Sequence, residues 1–334
     1  MASRSSGKRE AGSGKRVVTA VAVISLLVGL HACSREKEAT PTPSGPQQQE
    51  LTLQGAPVVL AVGDIAVCGT SGDEATGKLA DSLLRAASGA GAETIIVTMG
   101  DNAYPSGDQG VTNYFSRCFK PSWGDAAIMS AIRPSPGNHD YDSGSGLPYF
   151  DFFGARAGPS GKGYYSFDLN GWHLISLNSE LYFGAGDAGA QKAQEDWLRA
   201  DLKQHPTACA LAYFHRPYFS SGVYGTTPEV NRLWQILYDG GVDLVLNGHE
   251  HDYERFLPQT STGVADSVKG MEEIIAGTGG GTLRSFGDQL ARNSAAHIQG
   301  RFGLLKLMLG NGEYTRAFID TDGRVWDAGS RRCR

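Results

Sequence analysis

Leu244, Val245 and Leu246 form an apolar run of strand length that meets an Asn-Gly pair at 247 and 248, and the turn delivers two histidines, His249 and His251. A buried strand that stops at a turn pair puts whatever follows at one edge of a sheet, because the chain must leave the sheet there. The bend also frees the pair from strict alternation, so both imidazoles can be aimed into one cavity above the sheet edge. Such a pair has metal-ligand character, although His-x-His also occurs on solvated loops. Its meaning therefore depends on what the other strand ends bring.

The same arrangement recurs along the chain. Residues 58–62, bounded by Pro57 and Gly63, are continuously apolar and predict a buried strand with Asp64 at its end. A helix is predicted over 73–87 with Ala75, Leu79 and Leu83 on one face, and a second strand over 94–99 leads into Gly100, Asp101, Asn102, Ala103 and Tyr104. Strand, helix, strand with a carboxylate at each strand end is a βαβ unit whose polar groups gather on one edge. Residues 132–136 lead into Gly137, Asn138, His139 and Asp140, and a third buried strand over 209–214 ends at His215.

Between these lie a hairpin over 163–178 turning at Asn170-Gly171, with His173 in a structural place, and an amphipathic helix over 191–203. That helix carries Ala193, Trp197, Ala200 and Leu202, and His205 caps its end. Thr227 before Pro228 starts another helix through Leu233, Ile236 and Leu237. Residues 272–276 predict a strand, and 302–309 with 314–319 a hairpin turning near Asn311-Gly312. The glycines at 279–281 lack the Gly-Lys-Ser/Thr ending of a phosphate loop, and His297 lies in a polar loop with no partner motif.

The first 33 residues read as an export signal: Arg4, Lys8, Arg9, Lys15 and Arg16 precede an apolar run from 17 to 30. That run is shorter than the about 20 residues a membrane span needs. It ends Leu30, His31, Ala32, Cys33, which resembles a bacterial lipoprotein cleavage box apart from His31, so a lipid anchor on Cys33 is expected; an ordinary signal peptide with an incidental cysteine is the other reading. Residues 34–54, rich in proline and glutamine, predict a disordered linker, and 55–334 the folded domain. Residues 51–334 hold 23 basic and 31 acidic side chains, a net charge of about −8, which argues against a nucleic-acid partner. Four cysteines remain, Cys68, Cys118, Cys209 and Cys333, an even number that suggests two disulfides in an exported protein. Three connectivities are open, and Cys68–Cys118 with Cys209–Cys333 is the expected one.

The ordered set Gly-Asp, Gly-Asp-x-x-Tyr, Gly-Asn-His-Asp, strand-His and Gly-His-x-His resembles the calcineurin-like metallophosphoesterases, and more particularly the purple acid phosphatases, over residues 57 to 334. The resemblance implies an α/β (α+β) fold, a four-layer αββα sandwich of two mixed sheets flanked by helices. It implies that Asp64, Asp101, Tyr104 and His251 hold one metal ion, and that Asp101, Asn138, His215 and His249 hold a second. Many relatives place a histidine two positions after the first aspartate; here that position is Ala66, and Tyr104 fills the gap. A phenolate suits ferric iron, so Fe(III) with a divalent Zn, Mn or Fe is expected.

The implied function is hydrolysis of small phosphomonoesters by a hydroxide held at the metals, outside the cytoplasm and either lipid-anchored or secreted. His139 would face the substrate with Asp140 orienting it. Arg216 either holds a phosphate oxygen or is a surface arginine beside Pro217. Purple acid phosphatases usually carry a further histidine several residues after the one matching His215; this chain has Tyr218, Ser220, Ser221 and Tyr224 there. The competing expectations are a phosphodiesterase using the same site and a surface-tethered binding protein of this fold without turnover.

Overall fold

The computed structural model describes residues 48–105, 113–142, 144–206 and 209–334. The expected export signal, Cys33 and residues 34–47 of the expected linker lie outside them. The first half runs through β1 (Val58–Val62), β2 (Ala66–Val67), α1 (Gly72–Gly89), β3 (Thr94–Met99) and β4 (Ala103–Tyr104). The helices α2 (Lys120–Trp123) and α3 (Ala126–Ala131) follow, then β5 (Ile132–Ser135) and α4 (Leu147–Phe153). The second half carries β6 (Tyr165–Leu169), β7 (Trp172–Ser176), α5 (Ala188–Gln204), β8 (Cys209–Tyr213), α6 (Asn231–Asp239) and β9 (Leu244–Asn247). Then come β10 (Tyr253–Phe256), β11 (Glu272–Ala276), β12 (Ser294–Ile298) and a closing meander of β13 (Gly303–Gly310), β14 (Glu313–Asp320) and β15 (Val325–Arg332).

Two mixed sheets result, one ordered β15-β14-β13-β1-β3-β5 and the other β12-β10-β11-β9-β8-β7-β6. Side-chain alternation along β1 shows how they are layered. Val59 and Ala61 join Leu305 and Leu307 in a core shared with Leu174, Leu211, Leu244 and Ile274 of the second sheet. Val58, Leu60 and Val62 point the other way, onto Ala80 and Leu84 of α1. On the far side Ile175, Ala212 and Val245 meet Leu198 of α5 and Trp234 of α6. Helix, sheet, sheet, helix is the expected four-layer order, and every central strand is apolar on both faces because each face is covered. Strands β1, β3 and β5 run parallel in one sheet, and β7, β8 and β9 in the other. The carboxyl ends of β1, β3, β5, β8 and β9 all carry the polar motifs, which is where α/β sheets bind ligands.

Several expectations shift. Helix α1 buries Thr76, Ala80, Leu84 and Ala87, one step round from the predicted face, leaving Leu79 and Leu83 at its margin. Helix α5 buries Gln194, Glu195, Leu198 and Asp201, not Ala193 and Ala200. Apolar periodicity misses this face because its polar members are partnered: the Gln194 amide both accepts from the Asn178 backbone N–H and donates to its carbonyl. Residues 294–298, read as loop around His297, form the edge strand β12, and β10 was not anticipated. The linker gives way to the domain earlier than residue 55, since Gln48 donates to Val325 O and Glu50 pairs with Lys306. Among the described residues no helix is long and apolar enough to cross a membrane.

Both disulfides pair as expected, Cys68 with Cys118 and Cys209 with Cys333. The second closes a loop with a sequence separation of 124 and ties the end of the chain to β8. Replacing Cys209 and Cys333 together by serine is expected to cost about 2–5 kcal/mol of stability, read as a lower denaturant midpoint with an active site left intact below it.

Candidate metal centre

Each expected ligand is presented by a backbone feature its own sequence encodes. Asp64, Asp101 and His249 all have positive φ, at 61°, 47° and 70°, a left-handed conformation that non-glycine residues adopt at a cost of order 1 kcal/mol or more. Adjacent glycines permit the close approach this needs. A Cβ at Gly137 would stand 2.3 Å from Asp101 Oδ1, and one at Gly248 would stand 2.6 Å from Asp64 Oδ2. The chain can therefore bring the ends of β3 and β5 together within one sheet, and the end of β1 against that of β9 in the other, without a side chain between them.

The seven candidate ligands come together. Around Asp64, the Tyr104 hydroxyl donates to Asp64 Oδ1 at 2.8 Å and lies 3.1 Å from Asp101 Oδ2 and 3.2 Å from His251 Nε2. His251 Nε2 is 3.3 Å from Asp64 Oδ1. Beside this group, His215 Nε2 is 3.3 Å from Asp101 Oδ2, 3.1 Å from Asn138 Oδ1 and 3.1 Å from His249 Nδ1. Both groups share Asp101 Oδ2.

These spacings also suit ligands that share a cation. Metal–ligand bonds of about 2.0–2.2 Å at near-tetrahedral angles set neighbouring ligand atoms about 3.3 Å apart. His215 Nδ1 donates to Met99 O at 2.8 Å, and His251 Nδ1 donates to Thr282 O at 2.8 Å. A carbonyl can only accept, so each ring in its neutral form carries its lone pair on Nε2, aimed into the site, where a metal ion would replace the proton that the ring otherwise holds. There His215 Nε2 meets a carboxylate oxygen and an amide oxygen, an assembly of acceptors that a cation satisfies. His249 is the exception: its Nε2 faces Arg216 Nη1 at 3.2 Å, and a guanidinium can only donate, so ligation through Nδ1 requires Arg216 to shift.

The electrostatics express the same demand for positive charge. Burial opposes ionisation of Asp101, yet His215 beside it holds its carboxyl far below the usual range. Burial alone would strip His215 of its proton, but Asp101 raises its pKa to about 10. His249 goes the other way, to about 2, through burial and the neighbouring His215 and Arg216 charges. Burial and the carboxylates of Asp101 and Asp64 push the Tyr104 phenol well above its ordinary value, a bias that a bound cation reverses.

His139 stands at the rim, 34% exposed, with Nε2 3.9 Å from Asp101 Oδ2 and its ring 4.6 Å from that of Tyr104. Asp140 does not orient it, contrary to expectation. Its buried carboxylate accepts from Gly137 N and Asn102 Nδ2, both at 2.9 Å, bracing the Asn138 turn, and burial with the nearby Asp101 charge raises its pKa to about 7. Asp142 takes the expected place, with Oδ2 2.8 Å from His139 Nδ1, which also touches Pro105 O. Arg216 is more committed than the sequence implied: its Nε donates to both oxygens of Glu180 at 3.0 Å and its guanidinium stacks 4.1 Å over Phe183.

Sequence reading assigned no role to three residues of this neighbourhood. Glu180 follows β7, whose hairpin context gave no sign of it. Tyr224 stacks on His249 at 4.5 Å, and Arg284 lies 4.5 Å over the Tyr224 ring. Arg284 is placed by its backbone N–H, which donates to His251 O at 3.0 Å, so only proximity in the fold links it to the site. The glycines at 279–281 serve the same edge: Gly279 N and Gly281 N donate to the carbonyls of Gly63 and Asp64.

Comparison with known proteins points the same way. The sequence profile of calcineurin-like phosphoesterases matches residues 57–253. Purple acid phosphatase 18 of Arabidopsis thaliana is 30% identical over 183 residues, covering 48% of this chain and 40% of that protein. Acid phosphatase type 7 of Homo sapiens is 27% identical over 269 residues, covering 70% of this chain and 59% of that protein. The chain thus spans about half the length of these relatives. Among solved structures, a purple acid phosphatase from yellow lupin (Lupinus luteus) seeds superposes with a TM-score of 0.67 at 20% identity, over 84% of this chain and 54% of that one. With its profile match covering more than half of the sequence and its fold shared, the chain belongs to the calcineurin-like phosphoesterase family, and purple acid phosphatases are among its relatives.

Proposed function

We propose that the chain is an exported phosphatase that hydrolyses small phosphomonoesters at a dinuclear centre of Fe(III) with a divalent Zn, Mn or Fe ion. The observation that carries the proposal is the pair of four-residue groups sharing Asp101 Oδ2, with neighbouring ligand atoms 2.8 to 3.3 Å apart. Two ions held there would polarise a phosphate ester and make hydroxide available near neutral pH. Asp64, Asp101 and Tyr104 would hold the trivalent ion, because three anionic donors match its charge. Asn138, His215 and His249 add only neutral donors beside the shared Asp101, which suits a divalent ion.

The remaining residues would bind and orient. His139 is exposed enough to reach a substrate and close enough to Asp101 to meet one between the two groups. Held by Asp142, it would donate to a phosphate oxygen or to the departing alcohol. Arg216, displaced from His249 Nε2–H by ligation at Nδ1, would keep its Glu180 anchor and turn Nη1 toward the phosphate. Arg284 and Tyr224 would form the opposite wall. Export with a lipid on Cys33 would place this chemistry at the cell envelope, and mass spectrometry of the mature N-terminus reports whether Cys33 is acylated.

The test is hydrolysis of p-nitrophenyl phosphate and bis-p-nitrophenyl phosphate side by side by the purified chain, with iron and then zinc or manganese supplied. Faster monoester cleavage is expected; a reversed preference would assign the site to diesters, and inactivity on both with two metals bound would leave a binding role. Tyr104→Phe is expected to keep the aromatic packing while abolishing any visible phenolate-to-iron charge-transfer band. Retention of such a band in the variant would remove Tyr104 from the ligand set.

A further inference from the structure

A second group of ligand-type side chains lies away from the centre, where the β6–β7 hairpin at one edge of the seven-stranded sheet meets the end of α5. Asp168 and His173 sit on the two arms of the hairpin, directly paired across it. Asp201 lies in the last turn of α5, and His205 caps that helix. One ligand atom each from Asp168, His173 and His205 lie within 4.8 Å of one another. We propose that Asp168, His173 and His205 form a divalent transition-metal site, of Zn2+ type, that staples the end of α5 to the edge hairpin.

The orienting partners make this more than a cluster. His173 Nε2 is 2.8 Å from the buried carboxylate of Asp201, which is itself fixed by the Ser166 hydroxyl at 2.8 Å. That contact directs Nδ1 of His173 toward Asp168 Oδ1, 2.7 Å away. His205 Nδ1 is 2.9 Å from the backbone carbonyl of the same Asp201, which can only accept, so Nε2 of His205 keeps its lone pair. Asp201 thus orients the His173 ring and sets the tautomer of His205, leaving each a nitrogen able to ligate; for His173 this is the carboxylate–histidine–metal relation in which the other ring nitrogen donates to a fixed acceptor. Two imidazoles and a carboxylate, with a place left for water, are a donor set that suits Zn2+.

Access and adjustment are also built in. His173 is 1% exposed, but Asp168 is 60% and His205 36% exposed, so the site opens to solvent on the side of its two adjustable ligands. The two rings are stacked at 4.3 Å with an interplanar angle of 10°, and parallel rings cannot both point at one ion. Binding therefore turns His205 about its side-chain bonds toward Asp168, and the ion replaces the proton between His173 Nδ1 and Asp168. That proton leaves to solvent. No residue of this group belongs to the candidate active centre, so the two sites can be tested apart.

The experiment is Zn2+ content of the full chain after equilibration with micromolar Zn2+, compared with Asp168→Ala and His205→Ala. The expected result is one more zinc per chain in the unsubstituted protein than in either variant, a Zn2+-dependent rise in melting temperature absent from both, and unchanged phosphate ester turnover. Asp201→Asn tests the orienting role, with an expected loss of about 10–100-fold in affinity at this site. Equal zinc content in the unsubstituted protein and both variants would overturn the proposal, as would a third zinc that persists in the two alanine variants.

Discussion

Asp101→Ala is expected to abolish phosphate ester hydrolysis and to strip the proposed centre of metal, because it removes the one oxygen common to both groups of candidate ligands. The expected fall in kcat is roughly 10⁴-fold or more, about 5.5 kcal/mol of transition-state stabilisation at the usual 1.36 kcal/mol per decade. Asp101 also does structural work through its other oxygen, since Oδ1 accepts from His139 N at 2.8 Å. Asp101→Asn separates the two roles: the amide keeps an oxygen for His139 N but loses the charge that holds His215 protonated or metal-bound. The asparagine variant is therefore expected to fold normally, to hold less than two metals per centre and to be nearly as inactive as the alanine variant. Metal analysis beside a melting curve checks both parts. Near-normal turnover with two metals retained would remove Asp101 from the bridging position.

His139→Ala is expected to lower turnover by about 10²–10⁴-fold while metal content stays unchanged, because its ring stands beside the candidate ligand atoms without joining them. The substrate dependence of the loss distinguishes its roles. Proton donation to the departing oxygen matters most for an alkyl phosphate, whose alkoxide leaves poorly, and little for p-nitrophenyl phosphate, whose phenolate leaves readily. A larger loss on the alkyl ester assigns His139 as the acid, and an equal loss on both assigns it to the phosphate oxygens. Loss of metal would mean that it ligates. Asp142→Ala is expected to produce a weaker version of the same pattern, whereas Asp140→Ala would loosen the Asn138 turn and reduce metal binding.

Much of the site was legible because its residues follow strand ends, and strand ends announce themselves. An apolar run closed by glycine marks the edge of a sheet, and Asp64, Asp101 and His249 stand beyond such runs, while Asn138 follows Gly137 and His215 directly ends its apolar run. What the sequence does not encode locally was not legible. Glu180, Tyr224 and Arg284 reach the site from connections whose path depends on the whole fold. The choice between Asp140 and Asp142 as partner of His139 rests on how one turn folds, since both carboxylates lie within three residues of the ring. The faces of α1 and α5 were misplaced because apolar spacing assumes that polar side chains stay outside. Gln194 and Asp201 are buried with specific partners, the Asn178 backbone and the His173 ring, and only the assembled layers supply them.

Turnover of p-nitrophenyl phosphate by chelator-stripped protein, before and after iron and zinc or manganese are returned, tests the dinuclear account most directly. The account predicts no measurable hydrolysis before addition, and recovery that requires both ions at the Asp101 centre. Undiminished hydrolysis by protein verified to carry no metal would contradict it.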